Sequence, residues 1–142
     1  DRRGVGNMKK FILCVLGALA LAAGAEADSD RIMMDTSAAA LGSAGTYSTD
    51  TFLAESYKYA AVTVVADEDS AEDGVKIEQS CDEDCDTAAE PVFQYVSSWS
   101  YTAGSANNQY VAELNCKCAR VTYVNGTNAQ GSFHISTYLK LD

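Results

Sequence analysis

Four cysteines are the residues of this chain whose chemistry and spacing are most specific. They form two close pairs, Cys81-x3-Cys85 and Cys116-x-Cys118, while a fifth, Cys14, stands in an apolar run near the start. Four thiolates could hold zinc, but structural zinc sites favour spacers of about two to four residues in both pairs, and the second spacer here is a single residue. An even cysteine count in a short exported domain is typical of disulfides. The sequence therefore predicts two disulfide bonds and no metal centre at these residues.

The sequence leaves three connectivities open for the four cysteines. If the second pair lies on one strand, its side chains point to the same face with Cα atoms about 7 Å apart, which is too far for an easy mutual bond. Cross-links between the pairs would close loops of about 35 residues and contribute roughly 4 kcal/mol, against roughly 2 kcal/mol for a five-residue loop. These arguments favour cross-links between the pairs. A local bridge from Cys81 to Cys85 would instead pin the acidic turn between them.

Carboxylates form the second concentration of reactive side chains. Eleven acidic residues lie between Asp67 and Glu90, with Lys76 as the one base among them. Clustered carboxylate oxygens suit Ca²⁺, a hard cation, and the calcium candidates are Asp67, Asp69 and Asp73. An EF-hand template started at Asp69 fails at its third and last positions. We expect solvated acidic loops, with structural calcium as the alternative and no other cofactor.

Aromatic and amide side chains cluster along the chain around one predicted loop. Exposed rings supply flat apolar contact to a sugar, and amide groups orient its hydroxyls. In the alternative interpretation half of these rings pack in the core instead. The predicted ligand-binding residues are Tyr95, Trp99, Tyr101, Asn107, Asn108 and Tyr110.

Motifs for catalysis and for nucleic-acid binding are weak or missing in this sequence. It contains one histidine, His134, and it has no Gly-x-Ser-x-Gly elbow, phosphate-binding loop or cluster of metal-ligating histidines. Lys and Arg total 10 against 20 for Asp and Glu, and this net charge of −10 disfavours binding to phosphate backbones. We therefore expect a non-catalytic protein that does not bind nucleic acid.

The elements that must position these residues are strands. Apolar and polar residues alternate with period two in most of the chain after residue 45, and no helical stripe follows Leu41. In the last such segment, Phe133, Ile135 and Leu139 share one face and His134 faces solvent. Glycines with nearby Asn and Asp punctuate the strands, as in antiparallel sandwiches. The sequence predicts one all-β, antiparallel β-sandwich domain, with its strands drawn from residues 57–66, 75–80, 91–102, 109–124 and 132–140.

The first part of the chain has the layout of a secretory signal peptide. Met8 is followed by two lysines, an apolar run of about 13 residues and the small-x-small signal Ala25-Glu26-Ala27. This apolar run is shorter than the roughly 20 residues of a transmembrane helix, so we expect a secreted protein, periplasmic or extracellular, without a transmembrane segment. The expected organisation is an upstream extension (1–7), a cleaved signal peptide (8–27), a flexible lead segment (28–44) with a short edge strand at 32–34, and the sandwich (45–142).

Two stretches of this sequence resemble known modules. Residues 74–80 with the acidic turn after them, and residues 119–126 with the pattern Arg-x-x-Tyr-x-Asn-Gly, are similar to motifs of discoidin-like, galactose-binding-like domains of bacterial and phage surface proteins. The resemblance covers residues 45–140 and implies a jelly-roll β-sandwich that binds sugars. This chain lacks a glycine in the acidic turn, and Trp99 lies well downstream of it. The resemblance therefore implies the fold more than individual sugar-binding residues.

Together these features predict a secreted, non-catalytic binding module for a glycan or a surface protein. The alternative is a structural subunit of a surface assembly or filament, which would donate residues 28–41 as an added strand to a neighbouring copy. That segment lacks the long apolar alternation needed to fill a partner's core, which favours recognition over assembly. Self-association is compatible with both functions.

Overall fold

Every regular element that the structure describes is a β-strand. The computed structural model describes residues 31–82, 84–85 and 91–141, so the expected extension and signal peptide lie outside the described residues. Within the described part, no helix is long and apolar enough to cross a membrane. The strands are β1 (Arg31–Ser37), β2 (Thr46–Ser48), β3 (Phe52–Leu53), β4 (Tyr59–Ala66), β5 (Ser70–Ser80), β6 (Tyr95–Trp99), β7 (Gln109–Glu113), β8 (Cys118–Asn125) and β9 (Phe133–Lys140).

These strands form two antiparallel sheets with the connectivity of a jelly roll. The first sheet, sheet A, has the order β1-β9-β4-β7, and the second, sheet B, has the order β2-β8-β5-β6. Both β2 and β3 pair with successive stretches of β8, so together they occupy one position at the edge of sheet B. Four positions per sheet, filled by strands distant in sequence, are typical of two rolled Greek keys. The predicted all-β jelly-roll sandwich is confirmed.

Period-two alternation along the strands decides which side chains enter the core. In β9, Phe133, Ile135 and Leu139 are buried, whereas His134 is exposed on the outer face of sheet A. The His134 Nε2 atom lies 3.0 Å from the hydroxyl oxygen of Ser136 on the same strand. The predicted faces of this strand are therefore confirmed, because a strand that packs on one side buries every second residue.

The segment expected to be a flexible lead contains an edge strand of sheet A. Strand β1 pairs with β9 from Arg31 opposite Lys140 to Ser37 opposite Ile135, with a register irregularity between Met33 and Asp35. It is longer than the expected strand at 32–34, and the sheets do not begin at residue 45. Weak apolar patterning does not prevent pairing, because the ladder of an edge strand consists of backbone hydrogen bonds to β9.

The expected strand segment 109–124 divides between the two sheets. Its first part is β7 in sheet A and its second part is β8 in sheet B, with a turn around Asn115 and Cys116 between them. The side chain of Gln79, on β5, accepts hydrogen bonds from the backbone N–H groups of Asn115 at 2.8 Å and Cys116 at 3.3 Å. A distant side chain therefore stabilises this turn, and local periodicity contains no signal for it.

Candidate binding cleft at the open edge of the sandwich

Two disulfide bonds tie the segment after β5 to the start of β8. Cys81 bonds to Cys116 and Cys85 to Cys118, with Cα–Cα distances of 4.6 Å and 5.4 Å. The predicted cross-linking between the two pairs is confirmed, and the local alternative from Cys81 to Cys85 is not formed. The bridges hold the end of β5 and the β7–β8 turn together, which makes a rigid wall at this end of the molecule.

Gln79 completes this wall from the inside. Its side chain is buried, and its Nε2 donates to the carbonyl oxygen of Glu113 at 2.9 Å while its Oε1 accepts from the backbone after β7. It thereby connects β5 of sheet B to the end of β7 in sheet A. Because both sheets are joined at this point, the position of Cys116 opposite Cys81 is set by a side-chain amide as well as by the disulfide.

A cleft of about 700 Å³ opens beside this wall. Strand β6 is the edge of sheet B and β7 the edge of sheet A, so the cleft lies where neither edge is covered by a further strand of the described chain. Besides Gln79 and the Cys81–Cys116 bridge, it is lined by Gln94, Tyr95, Val96, Ser97, Glu113 and Asn115.

The six predicted ligand-binding residues do not share one exposed surface in the structure. Tyr95 is 59% exposed and lines the cleft. Tyr101 and Tyr110 are only 3% and 6% exposed, so their rings belong to the core and are not available to a ligand. Trp99 is half-buried, and its ring centroid lies 5.5 Å from that of Tyr110. The predicted aromatic platform is therefore reduced to Tyr95.

The buried position of Tyr101 has a specific cause. Its hydroxyl donates to the carbonyl oxygen of Ala66 at 2.8 Å and accepts from the Ala66 N–H at 3.0 Å. A tyrosine that satisfies both backbone groups at the end of β4 is a structural residue, since unpaired buried backbone groups are costly. In the sequence, Tyr95 and Tyr101 are both aromatic residues near a loop. The pattern alone could therefore not show that Tyr101 is buried and Tyr95 exposed.

Asn107 and Asn108 lie on the loop before β7, outside the cleft. Asn107 is exposed, and its backbone N–H donates to the Ser105 hydroxyl at 3.1 Å. The Asn108 carbonyl oxygen accepts from the Val64 N–H at 2.9 Å, which continues the pairing between β4 and β7. The cleft residues that sequence reasoning missed are Gln79, Gln94, Val96, Ser97, Glu113 and Asn115. Of these, only Ser97 had a signal, because it shares a strand face with Tyr95.

Two of the three calcium candidates have carboxylates occupied by backbone groups. Asp67 accepts from the Gly131 N–H at 3.0 Å and 3.1 Å through its two oxygens, and Asp69 accepts from the Ala103 N–H at 2.8 Å. Asp73 has a positive φ of 51° at a turn within β5. Among the described residues, no three His, Cys, Asp or Glu side chains are grouped so as to hold a metal ion. Asp67 and Asp69 thereby hold the neighbouring loops in place.

The residues of the Arg-x-x-Tyr-x-Asn-Gly pattern have structural positions on β8. Arg120 forms an ion pair with Glu78 at 2.7 Å, and Tyr123 and Asn125 are buried. A Cβ atom at Gly126 would lie 2.7 Å from the carbonyl oxygen of Asp69, so only glycine fits there. The motif that carries the sequence resemblance therefore describes how this strand is built into the sandwich.

The ion pair lies on the outer face of sheet B, next to the segment that leads into β6. Burial raises the pKa of Glu78, but hydrogen bonds from Arg120 and Thr122 and the Arg120 charge outweigh burial, so this pKa lies below its ordinary value. The Arg120 guanidinium also lies over the Phe93 ring, 4.0 Å from its centroid. These contacts position Phe93, shortly before β6, and thus one side of the cleft.

The sequence match extends over nearly all of the part that folds as a sandwich. Residues 22–140 match the family described as the uncharacterised protein YqxG N-terminal domain. This chain belongs to the YqxG N-terminal domain family. No curated protein matches it.

Two solved structures are similar to this member of the YqxG N-terminal domain family. The PBSX exported protein XepA is 17% identical with a TM-score of 0.56, and the similarity covers 81% of this chain and 38% of XepA. The structure reported as "Bacillus endospore appendages form a novel family of disulfide-linked pili" is 11% identical with a TM-score of 0.36, covering 79% of this chain and 89% of that one. The XepA similarity supports the fold, and this chain spans well under half the length of XepA.

Proposed function

We propose that this domain is an exported, non-catalytic binding module that recognises a glycan in the cleft beside β6. Two disulfide bonds indicate an oxidising compartment, the periplasm or the outside of the cell. The signal-peptide pattern at residues 8–27 and the exported status of XepA support the same location.

The observation that carries this proposal is the exposed ring of Tyr95 in a cleft that polar side chains also line. A tyrosine ring offers flat apolar contact to one face of a sugar, while amide, hydroxyl and carboxylate groups bind its hydroxyls. Gln94, Ser97, Asn115 and Glu113 supply those groups around Tyr95. The cleft volume of about 700 Å³ is in the range of small-molecule sites, roughly 300–1,000 Å³. The resemblance to galactose-binding-like modules supports the same ligand class.

The cleft favours binding over hydrolysis. Glycoside hydrolysis generally requires two carboxyl groups that flank the scissile bond. Among the described residues that line the cleft, Glu113 is the single carboxylate. We therefore assign Glu113 to hydrogen bonding with the ligand rather than to acid–base chemistry.

A glycan array probed with protein purified from the full chain tests this function. We expect Tyr95→Ala to weaken binding at least tenfold, and Tyr95→Phe to retain most of it because the flat ring remains. Leu53→Ala is the matched control, since Leu53 is 55% exposed on β3, at the other edge of sheet B. Binding that survives Tyr95→Ala, or no binding to any glycan, contradicts the proposal.

A second function, as a structural subunit of a surface assembly, is favoured by the free edge of β6. This strand pairs with β5 on one side and carries exposed Tyr95 and Val96. Donation of residues 28–41 to a neighbour would instead require β1 to leave β9. Electron microscopy and sedimentation of the purified protein with and without residues 28–44 separate the two routes, because deletion abolishes polymers formed by strand donation and leaves association through β6 in place.

A further inference from the structure

The four sheet edges of the sandwich differ in how well they are protected from pairing with another chain. Edge strands are blunted by charges, irregular register or short length. Strand β1 contains Arg31 and Asp35 and has an irregular register, β2 has three residues, and β7 ends in Glu113. Among the described edges, only β6 lacks all of these devices, since its five residues, Tyr-Val-Ser-Ser-Trp, include no charge and no proline.

Strand β6 is also the edge where two copies of an acidic chain can approach with least repulsion. The chain carries a net charge of −10, so two copies repel each other over most of their surface. The residues leading into and forming this edge, 91–99, are instead uncharged, and Val92 is 65%, Tyr95 59% and Val96 52% exposed. An exposed edge of this kind is a template for a further strand.

We infer that β6 pairs antiparallel with β6 of a second copy, about a twofold axis at Ser97; this rests on the second function proposed above. The register places Ser97 opposite Ser97, Val96 opposite Ser98, and Tyr95 opposite Trp99 of the other copy. Tyr95, Ser97 and Trp99 pair with Gln79, Ile77 and Val75 of β5, so these three side chains lie on one face. Each Tyr95 ring therefore meets a Trp99 ring across the interface, and this happens twice by symmetry.

This register forms more cross-strand pairs than the registers shifted by two residues. It uses all five residues of β6 and forms two aromatic pairs, which stabilise antiparallel strands. A shift by two residues in either direction leaves three pairs and sets no ring opposite another. No like charges stand opposite each other in the ladder, because β6 has none. The exposed ring of Tyr95 and the half-buried ring of Trp99 both become covered.

Pairing also has a consequence for the cleft. Tyr95 lies both in the cleft and in the proposed ladder, so the clefts of the two copies lie next to each other across the twofold axis. A ligand that takes the Tyr95 ring competes with pairing, and glycan binding is therefore to be measured at concentrations where the protein is monomeric. Failure of glycan binding leaves the pairing inference untouched, and the converse also holds.

Cysteine cross-linking tests the register directly. Directly opposed residues in an antiparallel pair have Cα atoms about 4.5–5.5 Å apart, within the disulfide range, whereas two Ser98 residues would be about 8 Å apart. We expect mild oxidation to convert Ser97→Cys protein to a covalent dimer at least tenfold faster than Ser98→Cys protein. Val111→Cys, at an exposed position on the β7 edge, is the control for random collision. Mass spectrometry confirms that the two native disulfides are intact in each variant.

A second measurement does not depend on an added cysteine. Sedimentation of the unmodified protein over a concentration series is expected to show a monomer–dimer equilibrium. Val96→Lys weakens it at least tenfold, while Val111→Lys, at a matched exposure of 50% against 52%, leaves it unchanged. A protein that stays monomeric throughout, equal cross-linking of the Ser97 and Ser98 variants, or equal weakening by Val96→Lys and Val111→Lys overturns the inference.

Discussion

The two ends of the sandwich are closed by different chemistry. At the disulfide end, Cys81–Cys116 and Cys85–Cys118 join the end of β5 to the start of β8. At the opposite end, which we call the amide end, Asn125, Gln130 and Tyr123 join the other end of β8 to two loops through hydrogen bonds. Each end holds together segments that are far apart in sequence.

Asn125 is the centre of the amide end. Its Nδ2 donates to the carbonyl oxygens of Gly42 at 2.8 Å and Asn128 at 2.7 Å, and its Oδ1 accepts from Gln130 Nε2 at 2.9 Å. The residue is 1% exposed, so each of these bonds is shielded from water. One side chain thereby fixes the segment before β2 and the loop before β9 against the same strand.

The two ends therefore depend on different conditions. Covalent bridges tolerate the exposure and irregular backbone around the cleft, but they require an oxidising environment. Hydrogen bonds at the amide end are independent of redox state, but each buried polar atom without a partner is costly. The Gln130 Oε1 atom is such an atom, since it has no hydrogen-bond partner among the described residues. The cleft at the open edge lies beside the bridges, while the closed end relies on packing and amides.

Removal of both disulfides is expected to have the largest effect. Each closes a loop of 33 or 35 residues, and the first contributes roughly 4 kcal/mol to the free energy of unfolding. The second adds less, because both close nearly the same loop. Guanidinium unfolding with and without reductant measures this loss, and hydrogen exchange should show the cleft opening before the amide end. A loss of less than about 1 kcal/mol in the free energy of unfolding contradicts the conclusion that the disulfides hold this end of the sandwich.

Asn125→Ala is expected to lower the free energy of unfolding by about 3 kcal/mol, because it removes the buried amide that joins the segment before β2, the loop before β9 and Gln130 to β8. Asn128→Ala is the matched control, since Asn128 is exposed and its side chain donates to Glu68 at 2.9 Å. Thermal or denaturant unfolding of both variants, with the disulfides intact, separates them. If the two variants have the same free energy of unfolding, the hydrogen bonds of Asn125 do not stabilise the amide end.

Alkaline pH is expected to weaken the amide end by about 2 kcal/mol. Burial raises the pKa of Tyr123 to about 12, although the hydrogen bond from Gln130 lowers it in part. The contribution to stability is complete below pH 10, the ordinary Tyr value, and is lost as pH rises through the folded value. Denaturant unfolding between these pH values measures the loss, and Tyr123→Phe should reduce the pH dependence. If the free energy of unfolding of Tyr123→Phe falls with pH as steeply as that of the unmodified protein, the effect belongs to another group.

Acid is expected to have the smallest effect, through the ion pair next to the disulfide end. The pKa of Glu78 is lowered from 4.5, so its contribution is present above that pH and is lost as pH falls through the folded value. Because Glu78 and Arg120 are partly exposed, the loss is about 1 kcal/mol or less. Unfolding of Glu78→Gln and of the exposed control Glu55→Gln, compared at neutral and acid pH, measures it. We expect Glu78→Gln to lose less stability in acid than Glu55→Gln, because glutamine does not titrate. Equal acid sensitivity of the two variants, or a larger one in Glu78→Gln, contradicts this assignment.

The candidate site was only partly predictable, and the aromatic residues show why. Tyr95 and Tyr101 both stand near a loop in an alternating segment, yet one is 59% exposed and the other 3%. The difference arises because β6 is a sheet edge at Tyr95, whereas the Tyr101 hydroxyl is bonded to Ala66 at the end of β4. Glu113 and Asn115 reach the cleft only because β7 and β8 separate into different sheets there.

Local alternation was enough to determine the all-β class and the faces of β9, because the period of a strand is a property of neighbouring residues. Cysteine spacing likewise favoured bridges between the two pairs, since a single spacer residue on a strand disfavours a mutual bond. Only the tertiary structure decided which cysteine bonds to which, which rings are buried, and where β1 lies. These depend on contacts between segments far apart in the chain, where burial and pairing are set by whatever packs opposite.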